Sequence, residues 1–110
     1  MRFYLFLDDD ERRKPPLSSY YKSEIYMVKN VEEAKEATSA AIKRGYEEFF
    51  FDLDYDLGEG APGGDAIHFV DWLIENYRNS DLNFKFRIHS FNPAGAQTMR
   101  TCLEKYWEVK

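Results

Sequence analysis

Short apolar runs alternate along the chain with segments of helical period. Arg2 to Leu7 (RFYLFL) has the length and composition of a strand covered on both faces. Glu24 to Val28 (EIYMV), Glu48 to Leu53 (EFFFDL) and Phe84 to Ile88 (FKFRI) read as further strands, the last with clean alternation. Helices are expected between them. Asn30 stands as an N-cap with Glu33 completing a capping box, which predicts a helix from Val31 to Arg44 stopped by Gly45. Asp65 caps a second predicted helix whose apolar face is Ile67, Val70, Leu73, Ile74 and Tyr77. Asn92 and Pro93 start a third, with Ala96, Met99, Leu103 and Tyr106 on one face.

The stretch Glu11 to Ser23 breaks this rhythm. It is polar, carries Pro15-Pro16 and Ser18-Ser19, and has no helical period, so a loop is expected where a first helix would stand. The order β, loop, β, α, β, α, β, α predicts an α/β fold with a mostly parallel sheet of about four strands. In such sheets ligands sit outside the carboxyl ends of the strands.

Composition narrows the class. The 110 residues suit a single domain over 1–110, and 44% hydrophobic with 17% aromatic residues supplies a core at that size. Cys102 is the sole cysteine, so no internal disulfide can form and a reducing cytoplasm is the expected compartment. Met1 leads straight into the first strand without a leader pattern, and no apolar run approaches a membrane span. Net charge is -5, from 15 Lys and Arg against 20 Asp and Glu. That balance excludes a general nucleic-acid surface but leaves room for a small charged ligand, which answers to the local field.

Candidate chemistry gathers at the strand ends. The first strand ends in Asp8-Asp9-Asp10, the third in Asp52-Leu53-Asp54-Tyr55-Asp56-Leu57-Gly58, and the fourth in His89-Ser90-Phe91-Asn92-Pro93. A parallel sheet brings these segments to one edge. Two carboxylates about 5 Å apart repel by roughly 3 kcal/mol at an effective dielectric near 20. Asp8, Asp9, Asp54 and Asp56 together therefore call for a cation. Oxygen ligands without Cys or paired His favour Mg2+ (or Mn2+) over Zn2+.

Asp52, Asp54 and Asp56 share the first spacings of a calcium loop. Leu57 stands where that loop needs glycine and Gly63 where it needs glutamate, which excludes an EF-hand. Ser90 and the helix-start amides after Asn92 suit an anion, and His89 is a candidate general acid or base. The basic run Arg12-Arg13-Lys14 can close over a phosphate from the loop. His68, Cys102 and Phe49-Phe50-Phe51 read as packing or surface positions.

The set FLDDDER, FDLDYDLGEG…GGDAIHFVDWL and RIHSFNPAG resembles the cyclic-phosphate processing receiver domain, an offshoot of the response-regulator receiver fold. The resemblance spans nearly the whole chain. It implies a shortened receiver-like three-layer sandwich that binds or processes cyclic-phosphate-containing nucleotides or RNA ends. It matches Asp8 and Asp9 to the paired acids of the first strand, although Asp9-Asp10-Glu11-Arg12 fits the D-D-x-R spacing better. Asp54 falls on the phosphoacceptor position, and Asp56, Leu57 and Gly58 complete that motif. His89, Ser90, Asn92, Pro93 and Gly95 match the last one.

On this resemblance Asp8, Asp9, Asp54 and Asp56 hold the metal. Ser90, Asn92, Gly95 and Arg12 hold the phosphate, and His89 and Asp54 carry the chemistry. Two departures stand out: Tyr55 replaces a family histidine, and no fifth strand ending in lysine is evident. The expected function is Mg2+-assisted binding and hydrolysis of a small phosphorylated ligand, a cyclic nucleotide or RNA end. The alternative is a module that sequesters such a ligand or binds a protein partner.

Overall fold

The structure, a computed structural model, describes residues 2–16 and 23–110. Its elements are β1 (Arg2–Leu7), β2 (Ser23–Val28), α1 (Val31–Lys43), β3 (Glu48–Leu53), α2 (Ala66–Tyr77), β4 (Asn83–Ile88), α3 (Pro93–Leu103) and β5 (Glu108–Val109). The five strands form one sheet in the order β2-β1-β3-β4-β5. Every pair is parallel. This is the strand order of the flavodoxin-like and receiver class, so the expected α/β fold stands.

The capping chemistry explains two of the helix starts. Asn30 Oδ1 accepts from the Glu33 amide at 2.9 Å, and Glu33 Oε1 accepts from the Lys29 amide at 2.9 Å. Asn92 Oδ1 accepts from the Gly95 amide at 2.9 Å, with Pro93 in the first helical position. Asp65 differs from expectation. It occupies the N-cap position of α2 but makes no cap bond. Its carboxylate instead takes the Leu57 amide at 3.5 Å, across the glycine-rich loop.

The crossovers through α1, α2 and α3 all advance in one direction across the sheet. Right-handedness then puts the three helices on one face. Val31, Ala34 and Ala41 of α1, Phe69, Val70 and Leu73 of α2, and Met99 and Leu103 of α3 join Phe3, Leu5, Leu7, Phe49, Phe51, Leu53, Phe84 and Phe86 in the main core. Tyr4, Phe6 and Phe50 form a smaller cluster on the other face, with Ile25 packed against it.

Among the described residues the helices thus make one layer on the sheet, two layers in all where three were expected. The β1 to β2 connection advances the other way and has no helix in its described part, 8–16. The rest of the expected loop, 17–22, lies outside the described residues.

A further correction concerns the fifth strand. β5 pairs Glu108 with Lys85 and Val109 with Phe86, and a strand of two residues is too short to show a period in the sequence. Lys110 follows it, its amide donating to the Phe86 carbonyl at 2.8 Å. Its ammonium stands 5.4 Å over the Phe50 ring. No described helix is long and apolar enough to cross a membrane.

Candidate metal and phosphate site

The sheet ladder runs one residue past the strand ends. The Asp8 amide donates to the Val28 carbonyl at 3.0 Å, Asp54 to Leu7 at 2.9 Å and His89 to Leu53 at 2.9 Å. Asp8, Asp54 and His89 therefore stand at one level, where β1, β3 and β4 end. Asp8 and Asp54 are buried, while Asp9 is exposed. Gly58 (φ +93) makes room for Asp9: a Cβ there would lie 3.2 Å from Asp9 Oδ2.

One oxygen from each of Asp8, Asp9 and Asp54 lies within 4.8 Å of the others. Three carboxylate oxygens gathered this closely would suit a hard divalent cation, which takes oxygen ligands. The need for positive charge is also visible in the fold. Arg13 Nε lies 3.2 Å from Asp8 Oδ2 and its Nη1 lies 3.4 Å from Asp54 Oδ2. The donor set and its charge fit a hard divalent cation.

Burial pushes the Asp54 carboxyl above its ordinary 3.8, and the neighbouring Asp8 charge pushes it further. The Tyr55 amide, the charge of His89 and the Ser90 hydroxyl pull the other way without cancelling the rise. A raised folded-state pKa contributes stability that is complete below the unfolded value and is lost as pH rises through the folded one. In chelator, Asp54→Asn should therefore equal or exceed the wild type in stability at pH 7. The difference should close as pH falls towards 3.8. Urea unfolding across that range checks this, and a variant clearly weaker at neutral pH would show that the pull of Arg13 and Ser90 dominates.

One functional residue escaped sequence reasoning. Asp52 is fully buried, one residue before the end of β3. It accepts from the Tyr4 hydroxyl, from Arg87 Nη1 at 2.7 Å and from His89 Nδ1 at 2.5 Å. His89 Nε2 lies 3.0 Å from Asp8 Oδ2. The imidazole is stacked flat on Phe6, with centroids 4.5 Å apart and planes 2° apart. Its ring is thus fixed on both nitrogens and one face, and Asp52, His89 and Asp8 form a continuous chain into the acidic cluster. A charge inside an apolar strand demands a partner. Arg87 holds the matching position in β4, directly opposite in register.

The family model of the cyclic-phosphate processing receiver domain matches residues 3–105. The chain belongs to that family. No curated protein and no solved structure matches it significantly.

In this cyclic-phosphate processing receiver domain the sequence-predicted residues fall into two groups. Asp8, Asp9, Asp54 and His89 converge, and the neighbouring Ser90 hydroxyl helps hold the Asp54 carboxyl down. Asp56 stays outside the carboxylate triad, exposed, and accepts from Asn92 Nδ2 at 3.3 and 3.4 Å. Arg12 lines the rim of the same cleft, its side chain 91% exposed and paired with Asp10 at 3.0 Å, and its guanidinium holds the Asp10 carboxyl below the ordinary value. Arg13 takes the place at the acids that the D-D-x-R spacing suggested for Arg12.

Gly95 has its amide taken by Asn92 and its α-carbon covered by Tyr55: a Cβ would lie 2.5 Å from that ring. Tyr55, in the position of the family histidine, therefore packs on the first turn of α3.

The acids line an open cleft of about 560 Å³ that also includes Asp56, Arg13 and Phe91. A depression of about 550 Å³ lies at Arg44 to Glu48, before β3. There Arg44 already bonds Glu24 and Tyr26, each at 2.9 Å. The first of the two holds the clustered carboxylates and is the candidate site.

Proposed function

We propose that this receiver domain binds a small phosphorylated ligand, a cyclic phosphate on a nucleotide or RNA end, through a Mg2+ or Mn2+ ion held by Asp8, Asp9 and Asp54. The observation that carries the reading is the convergence of these acids within 4.8 Å of one another. They stand beside Arg13. The family description supports the ligand class. When bound, the ion supplies a Lewis-acid contact to a phosphate oxygen. Ser90 and Arg13 offer donors to the remaining oxygens, and His89 keeps Asp8 oriented.

Calorimetric titration with adenosine carrying a cyclic phosphate across its vicinal ribose hydroxyls tests the reading. Saturable binding is expected in millimolar Mg2+, with loss of binding in chelator and in Asp54→Asn. Binding that ignores both changes would refute it.

A second reading, hydrolysis of the same ligand, is favoured by the chain from Asp52 through His89 to Asp8. Asp8 borders the cleft, and its Oδ2 lies 3.0 Å from His89 Nε2. In ring opening, water forms a new P–O bond and one ester P–O bond breaks. The water loses one proton as the departing ribose oxygen gains one, and the His89–Asp8 pair is the group that would shuttle it. Phosphorus NMR distinguishes the cyclic diester from the opened monoester, and so separates turnover from capture.

A further inference from the structure

We infer that Phe91, backed by Arg13, is the seat of the ligand's nucleobase. The inference rests on the reading of the acidic cleft as a cyclic-phosphate site and adds what holds the rest of the ligand.

Phe91 is 90% exposed, the most exposed of the large apolar side chains among the described residues. A bare phenyl ring costs solvation unless something covers it. Its position is not that of a loose surface loop. Ser90 precedes it, and Asn92 follows it and caps α3. The Asn92 amide donates back to Ser90 Oγ at 3.1 Å, closing a tight turn with Phe91 at its apex. The ring is therefore presented at a defined place on the wall of the cleft that holds Asp8, Asp9 and Asp54.

Arg13 completes the seat. Its guanidinium carbon lies 4.8 Å from the Phe91 centroid, while its nitrogens reach Asp8 and Asp54. An arginine that touches both the aromatic ring and the acids ties a flat apolar surface to the phosphate end of the cleft. Among the described residues no other ring stacks on Phe91. A base stacked there would cover the bare ring while its phosphate sits at the acids. Stacking uses the π-face that every base has, so it tolerates base identity.

The test compares two ligands in Mg2+. One is adenosine with a cyclic phosphate across its vicinal ribose hydroxyls, and the other is methyl riboside bearing the same cyclic phosphate and no base. Wild type should hold the adenosine ligand about tenfold tighter or more, the usual scale of one base stacking on an aromatic side chain. Phe91→Ala should bring the adenosine ligand down to the baseless level and leave the baseless ligand unchanged. Phe91→Tyr should keep the advantage. At so exposed a position these variants preserve the fold. Equal affinity of wild type for both ligands, or equal weakening of both by Phe91→Ala, would overturn the inference while the cyclic-phosphate reading stood. Failure of wild type to bind either would overturn both.

Discussion

Asp52→Ala should destabilise the fold by about 3–5 kcal/mol, the usual cost of removing one partner from a buried charged network. The carboxylate is fully buried and serves the Tyr4 hydroxyl, Arg87 and His89 together. Arg87 is 37% exposed and can turn to water when its partner is gone. His89 Nδ1 is buried and has no such escape, and both it and the Tyr4 hydroxyl lose a strong acceptor. Asp52→Asn keeps the shape and one carbonyl oxygen but loses the charge, so it should fall between alanine and wild type. Urea unfolding at neutral pH gives the numbers. A loss for Asp52→Ala under about 1 kcal/mol, the worth of a single ordinary hydrogen bond, would mean that the chain to Asp8 does not hold in solution.

His89→Ala acts on the chemistry more than on the ligand. If the domain opens the cyclic phosphate, the variant should lower product formation by about 100-fold or more, the usual worth of a positioned proton donor. Affinity should change far less, because the acids, Ser90 and Arg13 remain. His89 touches no part of the cleft directly; its ring is stacked on Phe6 and both nitrogens face carboxylates. The effect therefore passes through Asp8. Equal product from wild type and variant would remove His89 from the reaction. Intact bound ligand after hours with wild type would leave capture as the function.

The strands were legible because each is a short apolar run with a sharp polar end. β1 and β3 match their expected ranges, and the ladder then carries Asp8, Asp54 and His89 to one level. What stayed hidden depends on distances that a period does not encode. Asp52 sits within EFFFDL and reads as part of the core until β4 lies beside it. Its only trace was a charge at the next-to-last strand position, matched by Arg87 in the same position of FKFRI.

The choice between Arg12 and Arg13 depends on the phase of one turn. The Asp10 amide bonds Asp8 Oδ1 at 2.8 Å and the Arg13 amide bonds the Asp10 carbonyl at 3.1 Å; Arg12 is left on Asp10 at the cleft rim, and Arg13 reaches Asp8 and Asp54. Asp56 looked equivalent to Asp54 by spacing, but the chain turns after β3 and gives it to Asn92.

Electron paramagnetic resonance of Mn2+ tests the central claim most directly, because bound ion disappears from the free-ion signal without any assumption about ligand or turnover. One tight site per chain is expected in wild type. Asp8→Asn and Asp54→Asn should abolish it. Asp10→Asn and Asp56→Asn should retain it, since those carboxylates serve Arg12 and Asn92. Equal Mn2+ binding by wild type and Asp54→Asn would contradict the assignment of the acidic cluster as a metal site.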